Sequence, residues 1–191
     1  MDSICVFCGS HVGEKPGYLK AAANLGAILA ERGIHLIYGG SNIGLMGMVA
    51  NSCLEKGGRV TGIMPRHLEE KGVAHDQLTE LIVVDSMHQR KARMAELSDA
   101  FIALPGGIGT LEETLEMLTW VQLGIQAKPI GLLNALSYFD SLMTFFRHMV
   151  AEGFLRTGHL EMLLIESDAE KLVTRLQMYK PRYLDKWANK Q

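Results

Sequence analysis

The sequence predicts an α/β fold, a doubly wound parallel sheet with helices on both faces. Three observations carry the prediction. Short apolar runs alternate with segments of helical periodicity along all 191 residues, the pattern of repeated β-α units. Glycine-rich or polar turns follow three of the strand-like runs, at Gly9-Ser10, Gly39-Gly40-Ser41-Asn42 and Pro105 to Thr110. No linker, repeat or low-complexity stretch divides the chain, so residues 1–191 read as a single domain.

The elements follow in order. Ile4–Cys8 is the first strand, and Tyr18–Arg32 a helix with Ala21, Leu25, Ile28 and Leu29 at helical spacing, ended by Gly33. Ile34–Tyr38 is the second strand. A helix from about Gly44 to Lys56 ends at Gly57-Gly58. Val60–Met64 is a strand that Pro65 stops, and Arg66 to Leu78 reads as a short helix plus loop. Leu81–Val84 is a strand, Met87–Ser98 a helix, Ala100–Leu104 a strand and Leu111–Leu123 a helix. Pro129–Asn134, Phe139–Glu152, Met162–Ile165 and Ala169–Tyr179 supply two further strand–helix pairs, and the polar tail after Pro181 reads as peripheral. In such sheets ligands bind outside the carboxyl ends of the strands, near the switch in strand order. All three polar turns are expected on that edge.

Composition narrows the class. Hydrophobic residues make up 48%, which is globular. A net charge of −2 offers no electrostatic case for nucleic acid or an anionic membrane. No apolar run reaches the ~18–20 residues of a membrane span, and no signal peptide precedes the first strand. Cys5, Cys8 and Cys53 are too few for a disulfide scaffold. Cys5 and Cys8 have C-x-x-C spacing, but inside a strand rather than at a helix start, so both read as buried thiols. The chain is expected to be cytoplasmic.

The densest signal is Leu104-Pro-Gly-Gly-Ile-Gly-Thr-Leu-Glu-Glu113. It carries the chain from a strand onto a helix, whose unpaired N–H groups and partial positive charge suit a phosphate. Gly106, Gly107 and Gly109 leave that backbone open, and Glu113 brings an acid beside the expected phosphate in the first helical turn. The same residues fit a capping box, with Thr110 as cap and Glu113 reaching back. Gly107 and Gly109 match two glycines of the dinucleotide fingerprint, but Glu112 stands where the third belongs. No G-x-x-x-x-G-K-[ST] occurs, which excludes a P-loop.

A second cluster, Ser86-Met-His-Gln-Arg-Lys91, opens the preceding helix. Ser86 and Gln89 fit another capping box. Arg90, Met94 and Leu97 share one helix face, and an arginine on an apolar face needs an anionic partner, which is either a structural carboxylate or Glu113 with a bound phosphorylated sugar. Lys91 and Arg93 also fit a solvated face. His88 reads as supporting rather than catalytic, His35 as a satisfied strand residue, and most of the 11 methionines as core. Met117 and Trp120, on the Glu113 face, suit either a base pocket or a dimer contact.

Gly39-Gly40-x-x-x-Gly44-Leu-Met-Gly47, Met87-His-Gln-Arg-Lys91 and Pro105-Gly-Gly-Ile-Gly-Thr-Leu-Glu-Glu113 together resemble the LOG ("lonely guy") family of cytokinin riboside 5′-monophosphate phosphoribohydrolases. The similarity runs from Cys5 to about Glu152. It implies a Rossmann-like fold, usually a homodimer, and hydrolysis of the N-glycosidic bond of an adenine nucleotide monophosphate to free base and ribose 5-phosphate. It makes Arg90 and Glu113 the catalytic pair. Lys91, Gly107, Ile108, Gly109, Thr110, Leu111, Glu112 and Thr119 are the implied nucleotide contacts, with Ser10, Gly40, Met87 and Gly106 completing the substrate-binding set. No metal or other cofactor is implied. The sequence departs from the family at Gly72, where relatives often carry a glutamate; Glu69 and Glu70 are out of register.

The chemistry agrees with these residue types. Breaking C1′–N9 builds positive charge on the ribose, as in glycoside hydrolysis. A carboxylate stabilises that charge or orients water, and a neighbouring arginine favours its ionised form. Two other readings share the phosphate site: a general AMP nucleosidase and a non-catalytic carrier of a nucleotide or phosphorylated cofactor. A carrier does not explain an acid beside the phosphate. A pyridoxal phosphate decarboxylase finds no lysine in a recognisable Schiff-base context.

Overall fold

The structure, a computed structural model, describes residues 1–181. The tail after Pro181 lies outside the described residues. Seven strands form one parallel sheet: β1 (Ser3–Phe7), β2 (His35–Tyr38), β3 (Val60–Pro65), β4 (Glu80–Val84), β5 (Ala100–Ala103), β6 (Ile130–Leu133) and β7 (Leu163–Glu166), in the order β4-β3-β2-β1-β5-β6-β7. The order reverses between β1 and β5, which pair Ile4 with Ala100 and Phe7 with Ala103. This is the doubly wound sheet expected, with its crevice at the reversal.

Eight α-helices connect the described strands: α1 (Pro16–Glu31), α2 (Gly44–Glu55), α3 (Arg66–Glu69), α4 (Met87–Glu96), α5 (Ile108–Gln122), α6 (Asp140–Ala151), α7 (Thr157–Leu160) and α8 (Ala169–Gln177). One core packs α1, α2 and α8 on one face of the sheet through Leu25, Leu29, Val49, Cys53, Leu172 and Leu176. The other packs α4, α5 and α6 through Met94, Met117, Leu118, Met143 and Phe146. Strand residues divide by parity between the two: Ile4, Val6, Ala100 and Ile102 face the first core, and Phe7 and Phe101 stack in the second at 5.9 Å. The same parity separates the cysteines. Cys5 faces one core and Cys8 the other, so the C-x-x-C spacing cannot act as a pair.

Four local expectations change. Pro65 ends β3 from inside it, paired in register with Val84, and its extended backbone starts α3. Ser86 caps α4 by accepting from Gln89 N (3.1 Å), but Gln89 reaches back to the N–H of Asp85 rather than that of Ser86. Helix α7 and a 3-10 turn at Ala135–Ser137 interrupt segments too short for periodicity to register. Helix α5 starts three residues before Leu111 because extended Gly107 (φ −89°, ψ −157°) is the cap residue.

Gly26 lies where α1 packs directly on the backbone of α2. A Cβ there would overlap the carbonyl oxygen of Val49 on α2 and come within 3.1 Å of the Cys53 nitrogen. Gly26→Ala is expected to destabilise the chain by about 1–3 kcal/mol, the usual effect of overpacking. Thermal unfolding checks this, and an unchanged Tm refutes it.

Candidate active site

Three strand exits meet at the reversal. Gly9 N donates to Pro105 O (3.1 Å) and Leu45 N donates to Gly9 O (3.0 Å), tying the turn after β1 to the loop after β5 and to the head of α2. A cavity of about 300 Å³ opens between them, lined by Cys8, Gly9, Ser10, Gly39, Met46, Met87, Arg90, Met94, Gly107, Ile108, Gly109, Thr110, Glu112 and Glu113, with Val6 and Phe7 at its base.

Arg90 and Glu113 meet inside it. Arg90 lies in the first turn of α4 and Glu113 in the second turn of α5, each 8% exposed, and Nη1 donates to Oε1 at 2.6 Å. Arg90 Nε donates to the carbonyl oxygen of Ile63 on β3 (3.0 Å), which sets the plane of the guanidinium. Nη2 occupies the space above Gly39, where a Cβ would overlap it. The arginine predicted to need a buried anion thus has one, and that anion is Glu113. Burial pushes the Glu113 carboxyl above its ordinary value of 4.5; Arg90 pulls it down, but by less.

The head of α5 offers its backbone. No side chain among the described residues caps the helix; Leu111 N donates to Gly107 O, and the N–H groups of residues 107–110 precede the first intrahelical bond. This corrects the capping-box reading: Thr110 lies inside the helix, and Glu113 turns to Arg90 rather than to the cap. The three glycines have different reasons. A Cβ at Gly106 would overlap Thr110 Oγ1 and approach Gly9 N at 2.8 Å, so packing requires that glycine. At Gly107 and Gly109 a Cβ would meet nothing within 4 Å, and neither residue has positive φ. The protein's own packing does not require them to be bare.

Of the residues expected to contact substrate, Ser10, Met87, Gly107, Ile108, Gly109, Thr110 and Glu112 line this cavity together with Arg90 and Glu113. Five do not. Gly39, not Gly40, borders it; Gly40 instead turns the chain (φ 81°) and accepts His75 N (2.9 Å). Gly106 borders a second cavity instead, and Leu111, inside α5, packs half-buried against the core. Thr119, exposed about three turns along α5, donates to Leu115 O (2.7 Å). Lys91 Nζ is held between Glu112 and Glu116, the latter at 3.0 Å. Burial would lower the Lys91 ammonium, but those two carboxylates together hold it above its ordinary value. His88 is exposed, and Arg93 pairs with Glu96 on the outside of α4. His35 bonds Thr61 Oγ1 (2.9 Å). Met117 lies in the core and Trp120 packs half-buried against it, so neither walls the cavity. At Gly72 a φ of 71° closes the end of α3 with Gly72 N on Glu69 O, a conformation that disfavours a side chain.

An ionised Glu113 is expected to impose an acid limb on kcat/KM. Activity falls as pH drops through the pKa of its carboxyl, so the midpoint lies above 4.5. A pH–rate profile checks this; a profile flat down to pH 4 removes Glu113 as the ionised group.

A family described as "Possible lysine decarboxylase" matches residues 46–176. The chain is 48% identical over 180 residues to cytokinin riboside 5′-monophosphate phosphoribohydrolase LOG7 of Arabidopsis thaliana, covering 94% of this chain and 83% of that one. It is 47% identical over 180 residues to the enzyme LOG of Oryza sativa subsp. japonica, covering 94% and 74%. Among solved structures, the molybdenum cofactor binding protein of Rippkaea orientalis aligns with a TM-score of 0.71 at 24% identity, over 92% of this chain and 95% of that one. At that identity the likeness is one of fold. Identity near one half along almost the entire chain is a closer relation, and on it the chain belongs to the LOG family.

Proposed function

We propose that this protein hydrolyses the N-glycosidic bond of an N6-substituted adenosine 5′-monophosphate, releasing the free base and ribose 5-phosphate. One observation carries the reading: a buried arginine–carboxylate pair faces the cavity whose rim is the uncapped head of α5. The N–H groups of residues 107–110 seat the 5′-phosphate, and the bare Gly107 and Gly109 leave room for it. Ser10 and Met87 border the remainder of the nucleotide.

As C1′–N9 breaks, its electron pair goes to the base, which takes up a proton. A water oxygen bonds C1′ and gives up a proton. Positive charge develops on the ribose between these events, and the Glu113 carboxylate faces that charge and orients the water. Arg90 favours the ionised form of Glu113 against its burial and is itself anchored to β3 through the Ile63 carbonyl. The phosphate seat fixes the sugar relative to Glu113, which supplies orientation.

The decarboxylase description fits the site poorly. A Schiff base needs a neutral lysine amine in the cavity; no lysine among the described residues lines it, and two carboxylates favour the charged form of Lys91. The proposal extends to AMP as a ligand, to residues 1–191 working as one nucleotide-binding domain in the cytoplasm, and to a homodimer. Exposed apolar side chains near the cavity, among them Met87, Ile108 (82% exposed) and Leu115, support the last. Separate incubations with AMP and N6-isopentenyl-AMP, followed by chromatography, test the reading. Free base and ribose 5-phosphate in equal amounts are expected, faster from the substituted nucleotide. Equal rates would make it a general AMP nucleosidase; bound nucleotide without release of base would make it a carrier.

A further inference from the structure

Tyr138 stands on the far side of the glycine loop from Arg90 and Glu113. Its hydroxyl donates to the carbonyl oxygen of Gly106 at 2.5 Å. The ring is 40% exposed, so burial does not explain its position. Tyr18 and Phe139 meet it edge-on, at centroid distances of 5.7 and 5.1 Å, and fix its direction.

The backbone leading to Tyr138 is strained. Leu136 (φ 53°) and Ser137 (φ 61°) are consecutive left-handed residues, and neither is glycine. Such residues persist where their surroundings over-determine them. Asn134 does so here: its N–H donates to Glu166 O (2.8 Å), its Nδ2 to Asp140 Oδ1 (2.7 Å), and its Oδ1 accepts from Phe139 N (2.7 Å). The strained turn and its clamp deliver one hydroxyl to one loop carbonyl.

We infer that Tyr138 is a positioning residue for the phosphate seat, acting through the Gly106–Gly107 peptide. That peptide is trans, so its carbonyl and N–H point in opposite directions. Holding Gly106 O towards Tyr138 turns Gly107 N–H away from it. Gly106 and Tyr138 line a second cavity of about 280 Å³; Gly107 belongs to both cavities, and Arg90 and Glu113 only to the first. The hydrogen bond therefore aims a free N–H of the α5 head into the cavity that holds the catalytic pair. Gly107 has no side chain, and a Cβ built on it would meet nothing within 4 Å, so no side-chain packing holds that peptide plane and the bond at Gly106 O is what orients it. The inference rests on the proposed phosphate seat.

Tyr138→Phe keeps the ring and removes the hydroxyl. Its test is the inhibition constant of ribose 5-phosphate in the hydrolysis of N6-isopentenyl-AMP, with binding of AMP and of adenosine measured by calorimetry in a Glu113→Gln background that prevents turnover. Ribose 5-phosphate and AMP are expected to weaken about three- to tenfold, the factor of one neutral hydrogen bond, with adenosine affinity and Tm unchanged. Equal AMP affinity with and without the hydroxyl overturns the role. So does an equal loss for AMP and adenosine, or a lowered Tm with unchanged affinities, since each makes Tyr138 a shape or stability residue. If the protein with Tyr138 intact binds neither AMP nor ribose 5-phosphate, the phosphate seat itself is refuted and the role of Tyr138 with it.

Discussion

Glu113→Gln is expected to lower kcat by about 10²–10⁴-fold, the usual contribution of a positioned acid–base group, while nucleotide affinity changes little. The amide has the shape of the carboxyl and still accepts a hydrogen bond from Arg90 Nη1, so cavity and phosphate seat survive. It lacks the charge that opposes the developing ribose cation. The acid limb of kcat/KM is expected to vanish with the titrating group. Single-turnover base release, with nucleotide binding and Tm measured on the same preparation, separates lost chemistry from lost structure. Turnover equal to that of the unmodified protein removes Glu113 from the mechanism.

Arg90→Ala is expected to be the most damaging single change to the fold and the site together. It leaves the Glu113 carboxylate buried without its cation, and breaking a buried pair from one side costs about 3–5 kcal/mol. The Ile63 carbonyl loses its donor as well. The loss depends on pH with a definite sign. Arg90 is what lowers the Glu113 pKa against burial, so its removal raises that pKa further. Below the raised value Glu113 folds protonated and no charge is buried; above it, folding buries an unpaired charge. The destabilisation relative to the unmodified protein therefore shrinks as pH falls. Denaturant unfolding at pH 8 and pH 5.5 checks this, and a loss independent of pH refutes the coupling. Arg90→Lys keeps a charge but not the three-way reach to Ile63, Glu113 and the space above Gly39. It is expected to fold better than the alanine variant and to show the acid limb at higher pH than the unmodified protein.

Much of the fold was legible because its signals are local. Apolar runs at Ile4–Cys8, Ile34–Tyr38 and Ala100–Leu104 match β1, β2 and β5 within a residue at each end. The helix of the glycine loop was displaced because Thr110 and Glu113 fit a local cap rule. The actual cap is set by the backbone of Gly107, a conformation that residue type does not reveal. Gly40 is the glycine expected at the substrate, and Gly39 borders the cavity instead. Adjacent glycines look alike in sequence, and only the path of Arg90 from another helix distinguishes the one it overlies. Tyr138 carried no signal at all, since its partner is a carbonyl 32 residues away.

By itself the sequence determined the strand and helix periods, the glycine-rich turn onto α5, and the need of Arg90 for an anion. Each follows from composition and spacing within a few turns of chain. The tertiary structure decided which anion that was, why Gly106 is bare for packing while Gly107 and Gly109 face open space, and that Lys91 is spent on Glu112 and Glu116 rather than free for a ligand. These depend on side chains from α4, α5, β3 and the loop after β2 converging where the strand order reverses. Burial at that point makes an unpaired charge costly, so Arg90 is met by Glu113 and Lys91 by Glu112 and Glu116.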